Sequence, residues 1–174
     1  MTLAPRLGWI GQRSTASFLA PYAPLFERLA AHGKAHFKSV GIDAQNLGLP
    51  MAFIPWSEET EVDSVSGFDI GIMPLVDEAF ERGKCGYKRI QYMACGLPVV
   101  ASPVGVNRQI VEHGVNGFLA ETRAEWEKAL QTLLADAGLR QRMGQAGRQK
   151  VERQYCIQVT GPTLSHLFIE AAKK

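Results

Sequence analysis

Short apolar runs alternate along this chain with longer stretches in which apolar residues return every three or four positions. Residues 7–11, 35–40, 51–56, 68–75, 97–102 and 118–120 are short runs rich in apolar residues, most of them starting or ending near Gly, Pro or Ser, a pattern that predicts six strands. Phe18, Leu19, Tyr22, Leu25, Phe26 and Leu29 recur at helical spacing, and Gly33 follows as a stop. A short acidic helix is expected over 58–66, a loop over 76–83, a helix over 86–94 and another short one over 108–112. After the last strand the pattern turns helical, with amphipathic segments at 125–135 and 139–155 and a terminal helix at 160–174. Strands alternating with helices predict an α/β domain, a parallel sheet of about six strands covered by helices on both faces. Such sheets take ligands at the carboxyl ends of their strands, near a switch in strand order.

Composition narrows the partners. With 174 residues, 46% hydrophobic and 21% charged, the chain is expected to form one ordinary folded domain rather than a disordered segment. A net charge of +2, with Lys and Arg spread along the chain, argues against nucleic acid as the main partner. The basic run Arg140, Arg142, Arg148, Lys150 and Arg153 reads as a solvated helical face, with contact to a membrane surface or to another domain as the alternative. Cys85, Cys95 and Cys156 are too few and too scattered for a disulfide framework or a zinc site, so they are expected to be reduced thiols in a cytoplasmic protein. Pro5, Arg6, Gly8, Gln12 and Arg13 interrupt any signal-peptide pattern, and no apolar stretch approaches a membrane span. The inner face of the cell membrane stays open as a peripheral address, with no residue pattern in its favour.

Candidate chemistry concentrates in Glu81 to Pro103, ERGKCGYKRIQYMACGLPVVASP. Lys84 precedes the helix expected from Gly86, and Lys88 falls in its first turn. A cation at a helix start is locally unfavourable by about 0.3–1 kcal/mol. An anion held between the two lysines would reverse that, because helix N-termini present free N–H groups and partial positive charge. Solvated lysines are the competing account, and spacing alone does not separate the two. GKCGYK also resembles a fragment of a P-loop, but the pattern G-x-x-x-x-G-K-S/T does not follow the first strand, which argues against a P-loop nucleotidase.

The run from Phe68 to Ala120, FDIGIMPL through GKCGYKRIQYMACGLPVVASPVGVNRQIVEHGVNGFLA, resembles the C-terminal domain of the GT-B glycosyltransferases of family 4, the glycosyl transferases group 1. The GWIG…ST strand and turn before it and the helices after it extend the resemblance to essentially the whole chain. The resemblance implies a Rossmann-like domain that binds a nucleotide-sugar donor and serves a retaining transferase in polysaccharide or glycoconjugate synthesis. It also implies that the acceptor-binding N-terminal domain lies outside this chain, supplied in cis or by a partner. No cofactor and no metal ion are expected.

The chain departs from the family's pattern in two places. The family's signature is two glutamates separated by seven residues, of which the second binds the donor ribose and the first lies by the donor sugar. Here those positions hold Gln91 and Gly83. Gln91 can still hydrogen-bond a diol. Gly83 cannot replace its carboxylate, which leaves Glu81, and less directly Asp77, as the nearest acids and the catalytic residue unassigned. Near the first turn, where many relatives carry a basic pair for the diphosphate, this chain has Gln12 and no base near Phe18. Arg13, Ser14 and Thr15 are the substitutes on offer.

Transfer from a nucleoside-diphosphate sugar builds negative charge on the leaving phosphate, and fixed donors must meet it. Lys84 and the amides of Cys85, Gly86 and Tyr87 are the expected donors. Trp56, at the end of the third strand, is placed beside the nucleobase or at the core's rim, and Gly105 and Val106 beside the donor or in a plain turn. Two rival classes remain at this point: a noncatalytic nucleotide-binding or assembly module with a degenerate donor site, and an epimerase or phosphorylase of the same architecture.

Overall fold

A computed structural model describes residues 3–173. Six strands, β1 (Arg6–Ile10), β2 (His36–Val40), β3 (Met51–Ile54), β4 (Ile70–Met73), β5 (Val99–Ala101) and β6 (Gly117–Leu119), form one all-parallel sheet in the order β3-β2-β1-β4-β5-β6. All four residues of β4 and all three of β5 are buried, as expected of strands covered on both faces. Trp9, Phe26, Tyr92 and Trp126 are the largest side chains sealed in the core.

The expected helix through Phe18 and Leu29 breaks into three pieces: α1 (Arg13–Ala16), a 3-10 turn (Ser17–Tyr22) and α2 (Ala23–Ala31). Pro21 removes one amide from an α-helical ladder and its ring crowds the carbonyl four residues back, while Pro24 suits the first turn of a new helix. Prolines also shorten two strands, β3 before Pro55 and β4 before Pro74. The acidic helix α3 begins later than expected, at Glu61–Ser66, and an unforeseen 3-10 turn occupies Ala44–Leu47. The loop expected over 76–83 holds a single turn of helix, α4 (Ala79–Arg82), ahead of α5 (Tyr87–Ala94).

After α6 (Asn107–Ile110), two long helices return over the sheet. α7 (Arg123–Ala135) starts two residues earlier than its apolar pattern because Thr122 and Glu125 form a reciprocal capping box. α8 (Ala137–Gln154) starts where the Asp136 carboxylate accepts the Leu139 amide at 2.8 Å. α9 (Ile157–Ala172) buries none of its residues, and Leu164, Leu167 and Phe168 are exposed on it. The last residue of the expected terminal helix, Lys174, lies outside the described residues. Among the described residues no helix is long and apolar enough to cross a membrane.

The order of strands reverses between β1 and β4, and there the ladder is short. Leu7 faces Ile70 and Gly8 faces Gly71, against five facing pairs between β1 and β2. Side chains fasten it at both ends. At the amino end the Asp69 carboxylate accepts from the Arg6 amide at 2.7 Å and from its guanidinium at 3.0 Å. At the carboxyl end the buried Tyr92 hydroxyl accepts from the Ile10 amide at 2.9 Å and donates to the Ile72 carbonyl at 3.3 Å. A Cβ at residue 71 would overlap the Tyr92 ring, which explains a glycine in the middle of a buried strand.

Candidate donor site

Two adjoining cavities open at the carboxyl ends of β1 and β4, the place where open α/β sheets bind ligands. They have volumes of about 280 and 360 Å³ and share Gln12, Tyr87 and Lys88. Together they fall within the roughly 300–1,000 Å³ usual for small-molecule sites. The first is lined by Ile10, Gly11, Arg13, Gly41, Ile42, Trp56, Glu61 and Gln91, and its surface is largely apolar. The second is lined by Ser14, Thr15, Met73, Phe80, Lys84, Cys85, Gly86 and Arg89.

The second cavity is built around the start of α5. Gly86 caps that helix with φ +80°, a left-handed conformation open to glycine, and a Cβ there would overlap the Ile110 side chain. Among the described residues no side chain caps the helix start. Lys84, Lys88 and Arg89 all line this cavity. Arg89 is only 2% exposed, and among the described residues its Nε has no hydrogen-bond partner and the side chain forms no salt bridge. Burial pulls its pKa from the usual range to about 10, with Tyr92 and Cys85 opposing. Lys88 is also drawn below its ordinary value, to about 8, first by burial and then by repulsion from Arg89 and Lys84, with Glu61 opposing. Its ammonium lies 5.6 Å from the centre of the Trp9 ring. Among the described residues, Lys84 alone of the three has a carboxylate partner, Glu81 at 3.3 Å, and it also lies 5.1 Å over the Phe80 ring. Buried cations with too little countercharge make a cavity that favours anions.

The first cavity has a different character. Trp56 is 54% exposed at its rim. Its indole N–H donates to one oxygen of Glu61, and the Gln91 side-chain amide donates to the other. The cavity therefore holds an aromatic face and a carboxylate fixed at both oxygens.

The residues expected from sequence divide clearly. Ser14, Thr15, Lys84, Cys85, Gly86 and Tyr87 meet in the cationic cavity, although the Thr15 hydroxyl donates to the Gln12 carbonyl at 3.1 Å. Arg13 lines the other cavity, with Trp56 and Gln91. Glu81, Gly83, Gly105 and Val106 line neither. Glu81 is buried beneath Lys84, Gly83 closes α4, and Gly105 packs against the Arg82 carbonyl. Asp77 pairs with Arg82 at 2.7 Å, and that hydrogen bond lowers the pKa of its carboxyl. The three cysteines are free thiols, with Cys85 exposed. Among the described residues no group of three or more His, Cys, Asp or Glu side chains is placed to hold a metal ion.

Sequence reasoning passed over Arg89 and Glu61. Arg89 had a signal: it shares one face of α5 with Tyr92 and Met93, so a charge stands where the helix is otherwise apolar. Glu61 had none, because it meets Gln91 across thirty residues of chain.

Comparison with known proteins agrees with this architecture. The family model for glycosyl transferases group 1 matches residues 18–136, more than half of the chain. A D-inositol 3-phosphate glycosyltransferase of Geodermatophilus obscurus is 30% identical over 149 residues, covering 75% of this chain and 32% of that protein. A sucrose-phosphate synthase from Thermosynechococcus elongatus superimposes with a TM-score of 0.71 at 18% identity, over 99% of this chain and 47% of the other. HepE from Anabaena, solved in complex with UDP-glucose, gives 0.69 at 18% identity over 96% and 49%. The chain thus spans about a fifth to a third of the curated relatives it matches first.

Proposed function

The chain belongs to the glycosyl transferases group 1, and we propose that its 174 residues are the donor-binding half of a retaining transferase that moves a sugar from a nucleoside-diphosphate sugar to an acceptor. One observation carries the proposal: three cations, two of them without a carboxylate partner among the described residues, converge at the start of α5 beside a largely apolar cavity rimmed by an exposed tryptophan. A diphosphate fits the first environment and a nucleoside the second. The complex of HepE with UDP-glucose supports a donor of this kind.

In this reading Lys88, Arg89, Lys84 and the first amides of α5 meet the charge that develops on the leaving diphosphate. They are fixed before the reaction, which is what makes such donors effective. Because the countercharge comes from side chains, the proposal includes no metal ion. The acceptor, and any group that contacts it, belongs to a second domain outside these residues. The 174-residue chain alone is therefore expected to bind donor without transferring sugar, in a cytoplasmic enzyme of glycan or glycoconjugate synthesis.

Titration calorimetry with UDP, GDP, ADP and their sugar conjugates tests the proposal. Binding of one diphosphate series, unaffected by EDTA and lost in Lys88→Ala, is the expected result. Absence of binding by any nucleotide would overturn it. A second reading has its own support: neither Gly83 nor Gln91 is acidic and Glu81 is held by Lys84, as in a module that binds a nucleotide without chemistry. Transfer by the assembled two-domain protein, abolished by Arg89→Met, excludes that reading; binding without transfer establishes it.

A further inference from the structure

We infer that Glu61 reads the ribose hydroxyls of the bound nucleotide, with Trp56 and Gln91 holding its carboxylate in place. The inference rests on the donor-site proposal and adds a specificity-determining residue to it. Three separate parts of the chain converge here: Trp56 just after β3, Glu61 at the start of α3, and Gln91 in α5. Each carboxylate oxygen takes one N–H, the indole on Oε2 and the side-chain amide on Oε1. An ionised carboxylate is an acceptor with about four lone-pair sites, so each oxygen keeps one free. The group lines the first cavity and can take only hydrogen-bond donors there.

Position selects which donors. A phosphate would be repelled by Glu61 and belongs with Lys84, Lys88 and Arg89 in the second cavity. A base belongs against the exposed ring of Trp56. Glu61 bonds Trp56 on one side and Gln91 on the other, in the same cavity as the ring, and Gln91 follows by three residues on α5 the Lys88 that lines both cavities. In a nucleoside diphosphate the part between base and phosphates is the ribose, and its vicinal hydroxyls offer two O–H donors to the two oxygens. Gln91 alone supplies no charge. With Glu61 behind it, the pair supplies a charged acceptor whose geometry is fixed before ligand arrives.

The test is calorimetric titration of the 174-residue chain, wild type and Glu61→Gln, with UDP, GDP and ADP, their 2′-deoxy and 3′-deoxy counterparts, and inorganic pyrophosphate. Wild type is expected to bind the ribonucleotide about 10- to 100-fold more tightly than either deoxy form, the factor for one hydrogen bond to a charged group. Glu61→Gln should weaken ribonucleotide binding by a similar factor, erase the preference, and leave pyrophosphate unchanged. Equal binding of ribo and deoxy forms by wild type overturns the inference without needing the variant. So does a preference that survives Glu61→Gln, or a loss confined to GDP, which would assign Glu61 to the guanine edge. If neither pyrophosphate nor any nucleotide binds wild type, the donor-site proposal falls and this inference falls with it. If nucleotides bind with no hydroxyl preference, only this inference falls.

Discussion

The Lys84 ammonium lies 3.3 Å from a Glu81 oxygen, and the carboxylate is the more deeply buried partner, with 7% of its side chain exposed against 25%. Lys84 therefore answers a buried charge of the protein as well as facing the cavity. Replacing it with alanine leaves that acceptor unpaired and is expected to lower stability by about 1–3 kcal/mol. Glu81→Gln in the same background should recover part of the loss. Urea denaturation of the four proteins in this cycle measures the coupling, and additive losses would show that the pair contributes nothing. Lys84→Ala is consequently a poor probe of ligand binding, because it disturbs two things at once.

Arg89 is the cleaner probe. Its guanidinium is buried without a carboxylate partner among the described residues, so an apolar side chain of similar length removes a cost. Arg89→Met is expected to leave the melting temperature of the ligand-free chain unchanged or raised. It should also weaken diphosphate binding by about tenfold or more, the value of a charge-assisted hydrogen bond of ~1.5–3 kcal/mol. Thermal melts with and without UDP read both effects. A lower melting temperature with unchanged UDP stabilisation would make Arg89 a structural residue.

Lys88 sets a pH dependence. In the folded chain its pKa falls from the ordinary 10.5 to about 8. Between those values the unfolded chain keeps a proton that the folded chain has released, so Lys88 makes stability rise with pH across that window. Binding runs the other way. A diphosphate beside Lys88 favours the ammonium, so affinity is expected to decline as pH rises past about 8 and proton uptake to accompany binding. Glu61, Lys84 and Arg89 surround the same group, and Lys88→Arg should remove the break while keeping a cation. Calorimetry at pH 7 to 10 in buffers of different ionisation enthalpy detects the uptake; a flat profile in wild type would refute the assignment.

The Tyr92 hydroxyl is the sole side-chain partner of the buried Ile10 amide among the described residues. Tyr92→Phe keeps the ring and strips that acceptor, at an expected cost of about 1–3 kcal/mol. Chemical denaturation measures it, and a change within experimental error would mean that the amide finds another partner.

How much of this was legible in the sequence depends on the range of the interactions. Buried strands announce themselves by continuous apolar residues, and β4 and β5 are the plainest because both of their faces are covered. Element ends were set by local chemistry that periodicity does not weigh. Pro21 and Pro24 divided one helix, and the Thr122–Glu125 box began another early. The cationic cavity was partly readable because Lys84, Gly86 and Lys88 are neighbours in the chain. Its deepest member, Arg89, was hidden by the habit of counting a basic residue as surface. The Glu61–Gln91 contact is tertiary throughout, and no local rule points to it.

The short ladder between β1 and β4 also has a mechanical meaning. It is the line along which the chain divides into a front half carrying β1 to β3 and a rear half carrying β4 to β6. Gln12 and Ser14 come from the front half, Lys88 and Arg89 from the rear, and all four line the same cavity. A ligand seated there is a rivet between the halves, so occupancy and resistance to splitting rise together. Isotope exchange at the Ile10 amide, which the rear half's Tyr92 holds, would report the opening of that line directly.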